Sequence, residues 1–206
     1  MAIVNGPLLS LDASGKVAGA IVFSKWKGRP VVRQLVVPSN PQSAAQWGQR
    51  SMMRFLSVAW APLGPSYQPT WNDLAEQGKY SPFNAFCSFN LNRWTQWQTP
   101  FREPTASGDT PPTMGALSVT GGVGQLTPSQ VITAAADIWG VEIHLSQTTG
   151  FTPSKQTCRY VALYSSSPVT AIITGLAAGT WYVRCAGFTF DGQRTAFVAQ
   201  QSAVVT

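Results

Sequence analysis

The segment TGLAAGTWYVRCAGFTFDGQRTAF, residues 174–197, carries the clearest fold signal in this 206-residue chain. It begins with a glycine-containing turn and continues into a run of β-branched and aromatic residues. Asp191-Gly192 then supplies a dipeptide that favours a tight hairpin turn, and a last strand is expected after it. The segment therefore predicts a turn followed by two paired antiparallel strands.

The same texture extends back to residue 115. Short β-rich runs separated by turn signals recur about every ten residues, which is typical of a small antiparallel sandwich. The seven runs are ALSVT, QVITAAA, WGVEIHLS, TCRYVALYS, VTAIIT, TWYVRCAGFTF and TAFVAQQSAVV. We therefore predict an all-β sandwich over residues 115–206.

The closing segment resembles a fibronectin type III domain. The residues that carry the resemblance are Leu176, Gly179, Thr180 and Tyr182, with Tyr182 at the tyrosine-corner position of that family. Alanine stands where the family usually has proline before Gly179, and an immunoglobulin-like sandwich of another topology is the alternative. The resemblance implies a fold and no particular function.

The first hundred residues predict an α+β module, a β-hairpin plus about three helices. Runs at 17–23 and 30–37 read as strands joined by a turn at Gly28. A helix is predicted from Asn40-Pro41 to Ala61, where Pro62 would end it. Its apolar stripe is Met52, Phe55, Leu56, Ala59 and Trp60.

Two shorter helices are predicted next. A capping-box pattern at Thr70 would begin one that ends near Gly78, and Ser81-Pro82 would begin the other. A segment rich in Pro, Thr, Ser and Gly follows. The predicted domains are thus a basic anchoring module at 1–104, a linker at 105–114 and the sandwich at 115–206.

Charge is scarce and unevenly distributed. Charged residues make up 11% of the chain, and its formal net charge is +6. Residues 1–104 hold 10 basic and 4 acidic side chains, whereas the remainder holds 4 of each. No carboxylate occurs between Lys16 and Arg54. The asymmetry favours two units with different surfaces.

The first hundred residues also resemble a recurrent module of phage and prophage proteins that has no assigned activity. The shared order is a G-x-V-x-G strand, an S-x-W-K-G turn, a V-R return strand, a P-x-N-P-x-S-x-A-Q segment, an arginine-bearing helix and a later tryptophan. The residues that carry it are Gly15, Val17, Gly19, Ser24, Trp26, Lys27, Gly28, Val32, Arg33, Pro38, Asn40, Pro41, Ser43, Ala45, Gln46, Arg50, Phe55 and Trp71. The resemblance implies an association with virion structural proteins.

The basic stretch is the candidate functional site. Its residues are Lys25, Trp26, Lys27, Arg29, Arg33, Arg50 and Arg54. Three interpretations compete: docking on an acidic protein partner, a purely solvating role around core tryptophans, and nucleic-acid binding with Trp26 and Trp47 as stacking surfaces. Docking is favoured because strand alternation separates Trp26 from Lys25 and Lys27.

No catalytic, metal or cofactor site is predicted. His144 is the only histidine, and with Glu142 it is expected to form a solvent-facing pair on one sheet face. Asp73 and Glu76 are better explained by helix capping than by acid–base chemistry. Glycines 121, 122 and 124 lack a phosphate-loop lysine and predict a β-turn.

The remaining signals bear on location. Three cysteines without C-x-x-C spacing favour buried free thiols, with a Cys158–Cys185 disulfide as the alternative. The N-terminus lacks a signal-peptide pattern, and no apolar run reaches the roughly 20 residues that span a bilayer. We expect synthesis in a host cytoplasm and residence in a virion.

These observations together predict a non-enzymatic phage virion structural protein. A capsid decoration or cement role comes first, docked through residues 1–104 and displaying the sandwich, with many copies or a homo-oligomer in the particle. The alternatives are a neck, tail or baseplate component, or an adhesin whose sandwich binds host glycans through exposed aromatic residues such as Trp139 or Trp181. Other virion proteins are the expected partners, and nucleic acid and membrane are not.

Overall fold

The computed structural model of the chain describes residues 2–3, 15–17, 19–26, 29–37, 43–105, 108–134 and 137–206. The chain forms two compact units, Met1–Pro41 and Gln42–Thr206. They are called the N-terminal unit and the C-terminal unit below.

The described residues of the N-terminal unit include a four-stranded antiparallel sheet. Its strands are β1 (Ala2–Ile3), β2 (Gly15–Val17), β3 (Ile21–Trp26) and β4 (Arg29–Gln34), in the order β1-β4-β3-β2. The predicted hairpin is present: β3 pairs with β4, and the paired residues run from Ile21 opposite Gln34 to Trp26 opposite Arg29. The run at 17–23, predicted as one strand, is instead split by a turn at Gly19, whose φ of 65° suits glycine.

Three helices begin the C-terminal unit. They are α1 (Ala44–Tyr67), α2 (Asn72–Gly78) and α3 (Pro82–Thr95), with a 3-10 turn at Gln68–Trp71. α3 begins at Pro82, as predicted from Ser81-Pro82, and the Ser81 side chain caps it by accepting the Asn84 N–H. The predicted helix start at Asn40-Pro41 lies outside the described residues.

Two predictions about helix ends are wrong. The first helix does not end at Ala61, because Pro62 and Pro65 kink it around Gly64 (φ 60°, ψ −168°) and it continues to Tyr67. Thr70 forms no capping box, since its hydroxyl donates back to the Tyr67 carbonyl. The predicted apolar stripe is confirmed: its first four members are buried and Trp60 is partly buried.

The remainder of the chain is an antiparallel β-sandwich. Its strands are β5 (Thr113–Gly122), β6 (Gln125–Ala134), β7 (Ile138–Ser146), β8 (Cys158–Leu163), β9 (Val169–Thr170), β10 (Ile173–Thr174), β11 (Gly179–Thr189) and β12 (Gln201–Val205). One sheet, the β6 sheet, pairs β6 with β5 on one side and with β9 and β10 on the other. The second, the β7 sheet, has the order β12-β11-β7-β8.

The β7 sheet is covered on both faces. One core lies between the two sheets and includes Val141, Ile143 and Val183. A second core joins the helices to the same sheet and includes Phe55 of α1 and Trp139 of β7. Because helices cover its outer face, β7 is buried at every position except its last.

The compact units therefore do not follow the predicted domain boundary at 105–114. The helices share a core with the sandwich, and the segment between α3 and β5 is hydrogen-bonded to both. Arg102 donates its N–H to the Phe190 carbonyl, and Asn90 pairs with the backbone of Phe101. The sequence composition of a linker does not reveal these contacts, because Pro, Thr and Ser also serve in ordered loops.

Candidate functional site

The predicted docking residues are divided between the two units. Lys25, Arg29 and Arg33 are exposed on β3 and β4 of the N-terminal unit. Lys27 and the side chain of Trp26 lie outside what the structure describes. Arg50 and Arg54 are exposed on α1 of the C-terminal unit. The seven residues do not all belong to one compact body.

Arg50 and Arg54 instead contribute to a groove within the C-terminal unit. We call it the arginine groove; α1 forms one wall, and β8 and the β9–β10 edge form the others. It consists of three adjoining cavities of about 500, 190 and 250 Å³. Its cationic and aromatic residues are Trp47, Arg50, Arg54, Arg159 and Tyr160.

Two of these guanidinium groups lie over aromatic rings. The Arg54 guanidinium carbon is 4.7 Å from the centre of the Tyr160 ring, and that of Arg159 is 5.8 Å from the centre of a Trp47 ring. Cation–π contacts of this kind hold long side chains in place. The positions of the two charges are thereby restricted.

The groove is positively charged without internal neutralisation. No carboxylate lies among its described lining residues, and none of its three arginines forms an ion pair within the described part of the chain. The Nε of Arg159 is buried and has no hydrogen-bond partner among the residues that the structure describes. Burial lowers the pKa of Arg159, although a guanidinium keeps its charge at neutral pH.

Glu142 and His144 form a buried network, so the prediction of a solvent-facing pair is wrong. His144 Nε2 is 3.0 Å from Glu142 Oε2, and its Nδ1 is 2.9 Å from Thr157 Oγ1. Arg194 donates through Nε to Glu142 and through a terminal nitrogen to the Trp97 carbonyl. The helices and the loop after α3 cover this face, which strand alternation alone cannot indicate.

The carboxylate and the imidazole of the network are shielded from solvent. Glu142 and His144 are 0% exposed, and Trp97 and Phe197 pack edge-on against the imidazole ring. The Thr157 hydroxyl is within hydrogen-bonding distance of the Ser154 carbonyl and the Ser154 N–H, which places it in a local turn. The arrangement joins the α3 loop to the sandwich.

The two tryptophans considered for glycan binding are not exposed. Trp139 is 4% and Trp181 is 8% exposed, and each belongs to one of the two cores. Trp181 Nε1 donates to the Ala177 carbonyl across 2.8 Å. The prediction that these two tryptophans are exposed and available to a glycan is therefore wrong.

Arg159 and Tyr160 were missed by sequence reasoning. They lie on β8, about a hundred residues after Arg50, in a strand predicted only as sandwich. Their sole sequence signal is a cation next to an aromatic residue at a strand start. The three cysteines are free and buried, as favoured from the sequence, and Cys158 and Cys185 are not joined.

The described residues contain neither a candidate metal site nor a candidate membrane-spanning helix. No three His, Cys, Asp or Glu side chains there come together in a way that could hold a metal ion. None of the described helices combines the length and apolar character needed to cross a bilayer.

No family model matches the chain, and no curated protein does. Solved structures with similar parts include an Fn3-like protein from Clostridium thermocellum (18% identity, TM-score 0.35), which matches 47% of this chain and 94% of its own. The PKD domain of an M14-like peptidase from a Thermoplasmatales archaeon matches 48% of this chain and 98% of its own (16% identity, TM-score 0.30). A β-1,2-glucanase from Parabacteroides distasonis matches 47% (15% identity, TM-score 0.35), and this chain spans 14% of that enzyme. These likenesses concern the fold alone.

Proposed function

We propose that this chain is a non-enzymatic structural protein of a phage virion, anchored through its N-terminal unit. The observation that carries the proposal is that the chain contains a small basic unit, Met1–Pro41, besides a larger one, Gln42–Thr206. A segment near 40 residues rarely buries enough surface to be stable without a partner. Contact with another protein would supply the buried surface that such a unit lacks.

The surface of the N-terminal unit fits this role. Arg29 and Arg33 are exposed on β4, and Val36 and Val37 after it are 71% and 82% exposed. Cations beside exposed aliphatic side chains offer both electrostatic steering and apolar area to a partner. The resemblance of residues 15–71 to a module of phage proteins supports a virion as the setting.

The proposed position is capsid decoration or cement, with the C-terminal unit displayed outward. We also propose that the sandwich is of the fibronectin type III kind and not Ig-like. The strand order supports this: one sheet has three positions, β5, β6 and the shared position of β9 and β10, and the other has four strands. A neck, tail or baseplate position is the alternative, and copy number per particle distinguishes the two.

The test is incorporation of variants into phage particles. Arg29→Glu combined with Arg33→Glu should leave the protein folded, because both side chains are exposed, and should abolish incorporation. The matched control reverses the charge of two exposed lysines in the other unit, by Lys79→Glu with Lys155→Glu, and this variant should be incorporated normally. Normal incorporation of the arginine double variant would refute anchoring through this unit.

A further inference from the structure

The arginine groove lies where both sheets of the sandwich end. β8 is the last strand of the β7 sheet, and β9 and β10 form the corresponding edge of the β6 sheet. Edge strands present backbone N–H and C=O groups that no neighbouring strand pairs. The groove thus offers hydrogen-bonding groups along two edges and a helix as its third wall.

The floor and the rim of the groove differ in character. Val161, Val169 and Ile173 line it and are buried, so its floor is apolar. Arg50, Arg54 and Arg159 supply cations without a described carboxylate nearby. An occupant that is complementary to both must carry apolar groups on one side and negative charges on the other.

We propose that the arginine groove binds an extended acidic segment of a partner protein, which adds as a strand to an edge of the sandwich. In an extended chain, successive side chains point to opposite sides. A segment that alternates carboxylate and aliphatic residues would therefore meet the arginines and the apolar floor together. Backbone pairing with an edge strand provides affinity that does not depend on sequence.

The aromatic rings of the groove favour a peptide over a nucleic acid or a glycan. The bases of a nucleic acid and the sugars of a glycan bind aromatic side chains largely by stacking on ring faces that are free. Here Arg54 lies over the Tyr160 ring and Arg159 over the Trp47 ring, so a face of each ring already holds a guanidinium. Those guanidinium groups remain available to carboxylates, which they bind through paired N–H donors.

This inference does not depend on the particle role proposed above, because the groove lies wholly within Gln42–Thr206. It gives the displayed unit a binding capacity of its own. The N-terminal unit and the arginine groove would then contact different partners.

The experiment measures binding of defined probes to the full chain by fluorescence anisotropy at low ionic strength. The probe is a labelled ten-residue peptide that alternates glutamate and valine, and the comparison peptide alternates lysine and valine. A labelled oligothymidylate and a labelled sulfated oligosaccharide represent the other two ligand classes. Saturable binding of the glutamate peptide, weakened by salt and absent for the lysine peptide, is expected.

Variants locate the site. Arg50→Glu with Arg54→Glu should weaken peptide binding by about tenfold or more, since it replaces two attractive charges by repulsive ones. Arg50→Gln with Arg54→Gln should weaken it less and serves as the second variant if the first does not fold. Arg29→Glu with Arg33→Glu makes the same charge change outside the groove and should leave binding unchanged.

Hydrogen exchange tests the strand addition. The bound glutamate peptide should slow amide exchange within residues 159–163 or 169–174. Absence of saturable binding, equal binding by the Arg50 and Arg54 variants, or protection elsewhere would overturn the proposal. Tighter binding of the oligothymidylate or the sulfated oligosaccharide, lost in the same variants, would overturn the choice of a peptide.

Discussion

His144 Nε2 lies 3.0 Å from Glu142 Oε2, and neither side chain has any exposed surface. Glu142 also accepts from Arg194, whose guanidinium stacks on Trp97 with its carbon 4.2 Å from the ring centre. The Glu142 carboxylate thereby contacts both His144 and Arg194. Arg194 in turn donates to the Trp97 carbonyl, in the loop that follows α3. The network is a link between the helices and the β7 sheet.

Replacement of the carboxylate should show the contribution of this link. Glu142→Gln preserves shape but leaves Arg194 without its counter-charge, and breaking a buried pair typically costs about 3–5 kcal/mol. The matched control is Glu103→Gln, whose carboxylate pairs with Arg102 but is 22% exposed, and this change should cost less than Glu142→Gln. Urea unfolding followed by tryptophan fluorescence measures both, and equal losses would contradict a special role for Glu142.

A glycine in α1 sets how closely that helix approaches the sandwich. A Cβ atom at Gly48 would overlap the Lys155 carbonyl oxygen, which is backbone and cannot move aside easily. The Gly48 carbonyl also accepts hydrogen bonds from Ser51 Oγ and Trp94 Nε1. Gly48 is therefore the point at which α1, α3 and the loop before β8 meet.

Gly48→Ala should consequently destabilise the protein. In an open helix position the same change stabilises by up to about 1 kcal/mol, whereas forced overlap in a packed site costs about 1–3 kcal/mol. Ser57→Ala, at an exposed position of α1, is the control and should change the free energy of unfolding little. A stabilised Gly48→Ala variant would show that α1 does not pack on the Lys155 backbone.

Local signals in the sequence predicted local structure well. Ser81-Pro82 begins α3, Val123-Gly124 forms the β5–β6 turn, and Asp191-Gly192 lies in the turn after β11. These features depend on backbone preferences of a few adjacent residues, which a single sequence displays directly. The stripe on α1 was predictable for the same reason, since its 3.6-residue period identifies a buried face.

The sequence does not reveal in this way which elements cover each face of a sheet. Alternation along β7 placed Glu142 and His144 on one face correctly, but it does not show that helices at residues 44–95 cover that face. The arginine groove likewise combines Arg50 with Arg159, whose proximity depends on tertiary packing. Non-local contacts of this kind leave no periodic trace in either segment.

The three thiols give a test of burial that is independent of the groove. Burial raises the pKa of the Cys87 thiol from 9.0 to about 11, and it raises those of Cys158 and Cys185 as well. Only the thiolate reacts readily with thiol reagents. The native protein at pH 8 should therefore react far more slowly than the urea-unfolded protein, in which three thiols should be counted.

The raised pKa values also predict loss of stability at alkaline pH. Above the unfolded-state pKa, near 9, the unfolded chain releases thiol protons that the folded protein retains until its pKa near 11. The folded state then binds more protons, so the free energy of unfolding falls as pH rises through this window. Urea unfolding at pH 7 and pH 10 measures the fall, which should be smaller in Cys87→Ala than in the unaltered protein. An identical fall in both would show that Cys87 ionises equally in the folded and unfolded states.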